Sequence, residues 1–75
     1  MKSVAHSIKD LRLKTKLSQK RFGYKVGMSG KTISAYETGK CIPPLKVLEK
    51  ISHTYNVSIS TFTVSNDELL IEKIK

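Results

Sequence analysis

Between Leu17 and Gly39 the chain has room for two short helices and one tight turn, and for nothing else. Ser18 has the chemistry of an N-cap, and Gln19 to Val26 supply about two turns with Phe22 and Val26 four apart on one face. Gly27 fits the left-handed residue that closes such a helix, and Met28 turns inward. Ser29 can cap the next helix, whose buried side carries Ile33, Tyr36 and Glu37, and Gly39 ends it. Gly23 stands in mid-helix, where glycine costs about 1 kcal/mol relative to alanine. Its presence therefore predicts a close approach between the two helices rather than a helical preference.

The remainder of the chain is read around this centre. Val4, Ile8, Leu11 and Thr15 recur at helical spacing in residues 3–16 and predict a first helix, with Leu17 following it into the core. After Gly39, Cys41-Ile42-Pro43-Pro44 reads as an extended connection, and a fourth helix starts near Pro44. Leu45, Leu48, Ile51 and Tyr55 space its apolar face, Asn56 stops it, and Val57 docks behind. Residues 58–64 read either as a short fifth helix capped by Ser58, with Ile59 and Phe62 inward, or as a strand, given their β-branched content. A last short helix, capped by Ser65 or Asn66, runs through Lys75 with Leu70 and Ile74 on its apolar side.

Seventy-five residues with no repeats or linker-like tracts predict one domain, near the lower size limit for folding without staples. The net charge of +8 is unevenly placed. Residues 1–40 hold ten basic side chains against two acidic ones, whereas residues 41–75 hold four of each. A field confined to one half attracts a polyanion and raises its encounter rate. Cys41 is the single cysteine, so no internal disulfide forms, which suits a reducing cytoplasm. No apolar run approaches the roughly 20 residues of a membrane span, and no signal-like core follows Met1. His6 and His53 lie far apart without a second cysteine, so no metal site or cofactor is expected. Neither a phosphate-binding glycine loop nor a nucleophile–base pattern is present, so an enzyme is not expected.

Leu17-Ser18-Gln19, Phe22, Gly23, Val26, Gly27, Met28, Ser29, Thr32-Ile33-Ser34, Tyr36, Glu37, Gly39-Lys40 and Pro43 stand in one register. Together they resemble the lambda-repressor-like (Xre-type) helix-turn-helix DNA-binding domains, over roughly residues 5 to 62. The resemblance implies an all-α, five-helix domain, here with the added short C-terminal helix, whose third helix enters the major groove of DNA. It also implies a bridge between Arg12 in the first helix and Glu37 near the end of the third.

With Ile33 and Tyr36 inward, Lys31, Ser34, Ala35 and Thr38 are expected outward. Gly30, Lys31, Ser34 and Ala35 are the base-contacting positions: Lys31 can donate to guanine, Ser34 to a base or phosphate, and Ala35 can meet a thymine methyl. Gln19 and Lys40 match the family's phosphate-contacting places, and Thr32 and Thr38 join them, Thr32 alternatively supporting the helix start. Gly30 and Ala35 depart from the longer polar readers common in the family, which shifts weight toward shape readout.

The expected function is a sequence-specific transcriptional regulator, a repressor, binding double-stranded DNA as a homodimer on an inverted-repeat operator. Phe62, Val64, Leu69, Leu70, Ile71 and Ile74 nominate the segment from Ile59 to Lys75, residues 63–75 in particular, as a dimerisation element. Antitoxin and restriction–modification controller roles stay open, and a protein-interaction module without DNA is the alternative from another class.

Overall fold

The computed structural model describes residues 3–62. Four α-helices follow one another, α1 (Val4–Thr15), α2 (Gln19–Lys25), α3 (Gly30–Thr38) and α4 (Leu45–Thr54), and a 3-10 turn (Ile59–Thr61) comes after them. Among the described residues there is no strand. Residues 58–62 therefore resolve the helix-or-strand alternative as a single tight turn, and the fifth helix is shorter than expected. The β-branched Ile59 and Thr61 are poor material for a longer helix. The C-terminal helix and the dimerisation element expected over 63–75 lie outside the described residues, while Phe62, also expected at that interface, is instead buried in the core at 1% exposed.

Serines set where the helices begin. Ser3, Ser18 and Ser29 each accept a hydrogen bond on Oγ from the backbone N–H three residues on, at His6, Arg21 and Thr32. α4 has Pro44 in that place and no side-chain cap; Val47 and Leu48 donate instead to the Pro44 carbonyl, at 3.0 and 3.1 Å. α2 closes in a Schellman motif: Met28 N–H reaches the Gly23 carbonyl at 2.8 Å and Gly27 N–H reaches that of Tyr24 at 3.1 Å. Gly27 takes φ +73° there, a value that glycine adopts without strain.

All four helices and the last turn feed one core, made of Ile8, Leu11, Phe22, Val26, Ile33, Tyr36, Leu48, Ile51 and Phe62. Phe22 stacks on Tyr55 with ring centroids 4.4 Å apart and planes 4° from parallel. The Tyr55 hydroxyl donates to the Phe22 carbonyl at 2.8 Å. Val26 N–H turns to the Gly23 carbonyl at 2.9 Å, tightening the end of α2. Burial raises the Tyr55 pKa above the usual phenol value. Leu45 departs from its expected inward place, being 59% exposed. It is the first residue of α4, and helical side chains lean toward the N-terminus, so it projects past the helix start while Val47 packs on the core.

Candidate nucleic-acid interface

The joint between α2 and α3 is set by Gly23. A Cβ at that position would lie 2.7 Å from the Met28 carbonyl oxygen, 2.9 Å from Ile33 Cγ1 and 3.0 Å from the Ser29 carbonyl oxygen. The two helices can cross this closely only because no side chain intervenes.

A second device fixes α3 against α1. Arg12 Nε donates to Glu37 Oε2 at 2.6 Å and an Arg12 terminal nitrogen donates to Oε1 at 3.1 Å, a two-pronged pairing. The other terminal nitrogen holds the Leu17 carbonyl at 3.0 Å, tying in the turn before α2. Both side chains are nearly enclosed, 14% and 3% exposed. The hydrogen bond to Glu37 raises the Arg12 pKa against the opposing effect of burial, and the carboxylate charge adds to the rise.

Gln19 joins the same carboxylate, its Nε2 donating to Glu37 Oε1 at 3.1 Å. α1 and α2 thus converge on one glutamate near the C-terminal end of α3. The family resemblance implies a phosphate contact for Gln19, and the bond to Glu37 is a second role beside it. No local signal carries it, since the two residues are eighteen apart. A carboxamide nitrogen has two hydrogens, so one remains for another acceptor.

The outward side of α3 places Lys31 and Thr38 in solvent, with Ser34 and Ala35 half-buried and Lys40 exposed just beyond Gly39. Thr32 Oγ1 lies 3.1 Å from Ser29 Oγ and supports the helix start, while Thr38 Oγ1 donates to the Ala35 carbonyl at 3.3 Å. Gly30 is different from the other nominated positions. A Cβ there would point at α2, 3.2 Å from the Cα and nitrogen of Lys20, so this glycine serves helix packing. Lys20 is exposed beside it and was not among the nominated residues, because only the folded contact puts it next to α3.

No group of three His, Cys, Asp or Glu that could hold a metal occurs among the described residues. Cys41 is exposed and in no disulfide, in the connection after α3. Among the described residues no helix is long and apolar enough to cross a membrane.

The helix-turn-helix family model matches residues 8–62, which takes in α2, the Gly27 turn, α3 and the packing around them. The chain belongs to the lambda-repressor-like (Xre-type) helix-turn-helix family. Two relatives from Archaeoglobus fulgidus, each described as an uncharacterized HTH-type transcriptional regulator, cover most of its length. One is 35% identical over 66 residues, spanning 88% of this chain and 93% of that protein. The other is 33% identical over 63 residues, spanning 84% and 90%. Among solved structures, the P22 c2 repressor protein, crystallised in complex with the synthetic operator 9T in the presence of Tl+, superposes with a TM-score of 0.75 at 26% identity. That match covers 83% of this chain and 94% of the repressor chain.

Proposed function

We propose that this protein is a transcriptional repressor that binds double-stranded DNA in the cytoplasm, laying α3 in the major groove. The carrying observation is α3 itself, with an outward face of Lys31, Ser34 and Ala35 and an inner face locked to α1 and α2 through Glu37. The likeness to a repressor crystallised with its operator supports the same reading. Lys31 offers an ammonium to guanine O6 or N7, Ser34 a hydroxyl to a base or phosphate, and Ala35 a methyl surface to thymine. Lys40 and Thr38 stand at the helix end, where a DNA backbone would pass, and the second hydrogen on Gln19 Nε2 faces the same task at the start of α2. Thr32 steadies the helix start through Ser29 and offers the same backbone its hydroxyl.

One recognition helix spans only a few base pairs, so two protomers on an inverted repeat supply the remaining specificity. The apolar residues of 63–75, Val64, Leu69, Leu70, Ile71 and Ile74, are the proposed contact between them. Selection of bound duplexes from a random pool tests the whole reading. The expected product is a short inverted repeat with one fixed half-site spacing. A pool that emerges unenriched at moderate salt would remove sequence-specific repression, and single half-sites would remove the dimer.

A further inference from the structure

α3 starts at a residue without a side chain, and the neighbouring helix fills the space. A Cβ on Gly30 would meet the Cα and backbone nitrogen of Lys20 at 3.2 Å and its Cβ at 3.5 Å. The second residue of α2 is therefore seated on the first residue of α3. Lys20 is exposed, and among the described residues its ammonium makes no hydrogen bond or ion pair. Glu37, the acidic residue on α3, is already taken by Arg12 and Gln19. Nothing anionic on α3 thus competes for the Lys20 charge, and its flexible four-carbon stem starts where a side chain of residue 30 would start.

We propose that Lys20 makes the DNA contact that the first residue of α3 cannot make. Rooted against Gly30, its ammonium extends over the first turn of α3 beside Lys31 and donates to an acceptor oxygen or nitrogen of the DNA facing that turn. The contact rests on the DNA-binding reading above. The glycine and the lysine act as one unit: Gly30 lets α2 come close enough to present a cation where the first residue of α3 has no side chain.

The test is titration of the selected duplex, and of single-base variants of it, at several salt concentrations. Wild type, Lys20→Ala and Lys14→Ala are compared, the last being an exposed lysine of α1 that lines a recess with Val57 and Thr61. Lys20→Ala is expected to weaken binding far more than Lys14→Ala. A loss of about five- to hundredfold confined to one base pair places the ammonium on a base edge. An equal loss on all duplexes, with a salt slope shallower by about one, places it on a phosphate. Lys20→Ala and Lys14→Ala behaving alike overturns the proposal. Gly30→Ala adds a second arm, since its methyl must displace the Lys20 backbone. It is expected to weaken the wild type by a larger factor than it weakens the Lys20→Ala protein. Equal factors in both backgrounds would reduce Gly30 to packing and break the proposed unit. Failure of the wild type to bind any duplex would instead remove the DNA-binding reading, and would be seen before any variant is made.

Discussion

A methyl group added at Gly23 and one added at Gly39 would fail for different reasons, and the difference is measurable. At Gly23 the new carbon meets the Met28 carbonyl oxygen at 2.7 Å, and backbone there can yield only by moving α2 off α3. Gly23→Ala is therefore expected to cost about 1–3 kcal/mol in urea unfolding, although alanine is the better helix former by about 1 kcal/mol. At Gly39 nothing lies within 4 Å, but the residue sits at φ +82°. Gly39→Ala should cost about 1–2 kcal/mol through backbone strain alone, with α2 and α3 still packed. A neutral Gly23→Ala would sink the steric account of this joint. Gly23, Gly27 and Gly39 were legible from sequence because each answers a local demand, namely a helix end or a helix that ought not to contain glycine. Gly30 was not legible, because its reason is the backbone of Lys20, ten residues earlier. For Gln19 the resemblance supplies a phosphate-contacting place, while its hydrogen-bond partner lies on α3, eighteen residues away.

Helices were read with the same mixture. The serine caps of α1, α2 and α3 lie within three residues of the N–H groups they satisfy, so a short window of sequence contains both partners. The tie between α2 and α4 spans 33 residues, and spacing gave only half of it. Helical spacing places Tyr55 on the apolar face of α4, but carries nothing about its hydroxyl on the Phe22 carbonyl. That bond makes a pH prediction. The Tyr55 pKa is raised in the folded state by burial, so the folded protein keeps its proton where the unfolded chain, near pH 10, has begun to lose it. The corresponding stability is fully present below about pH 10 and is lost as pH rises through the folded value. Tyr55→Phe should cost about 1 kcal/mol at pH 7, where the hydrogen bond is lost. Its deficit relative to wild type should then shrink above pH 10. Urea midpoints for both proteins at pH 7 and pH 10.5 check this; a deficit that stays constant would mean that the phenol titrates alike folded and unfolded.

Across the whole molecule, charge and architecture divide the chain in the same place. The surplus of +8 lies within residues 1–40, the part that forms α1, α2 and α3, and the remainder is balanced. Around α4, residues 41–62 carry only Lys46, Lys50 and Glu49 as charged side chains, and this region closes the core through Leu48, Ile51 and Phe62. The basic half has its cations mostly exposed, with Arg12 the exception, committed to Glu37. Lys31 lies on α3, Lys20 is the residue packed against its first position, Lys40 follows its end, and these three and Arg21 on α2 are all exposed. If these four displace counterions from DNA, the logarithm of the binding constant should fall with the logarithm of salt at a slope of about −3 to −4 per protomer. Single removal of Lys40 should reduce that slope by about one and weaken all duplexes alike, because a phosphate contact carries no sequence information. Removal of Lys31 should instead change the ranking of duplexes if, as proposed, its ammonium donates to a base edge. Equilibrium titrations of both variants across a salt series separate these outcomes. A Lys31→Ala protein that keeps the wild-type ranking would move Lys31 to the backbone and leave Ser34, Ala35 and the shape of the duplex to carry the sequence preference.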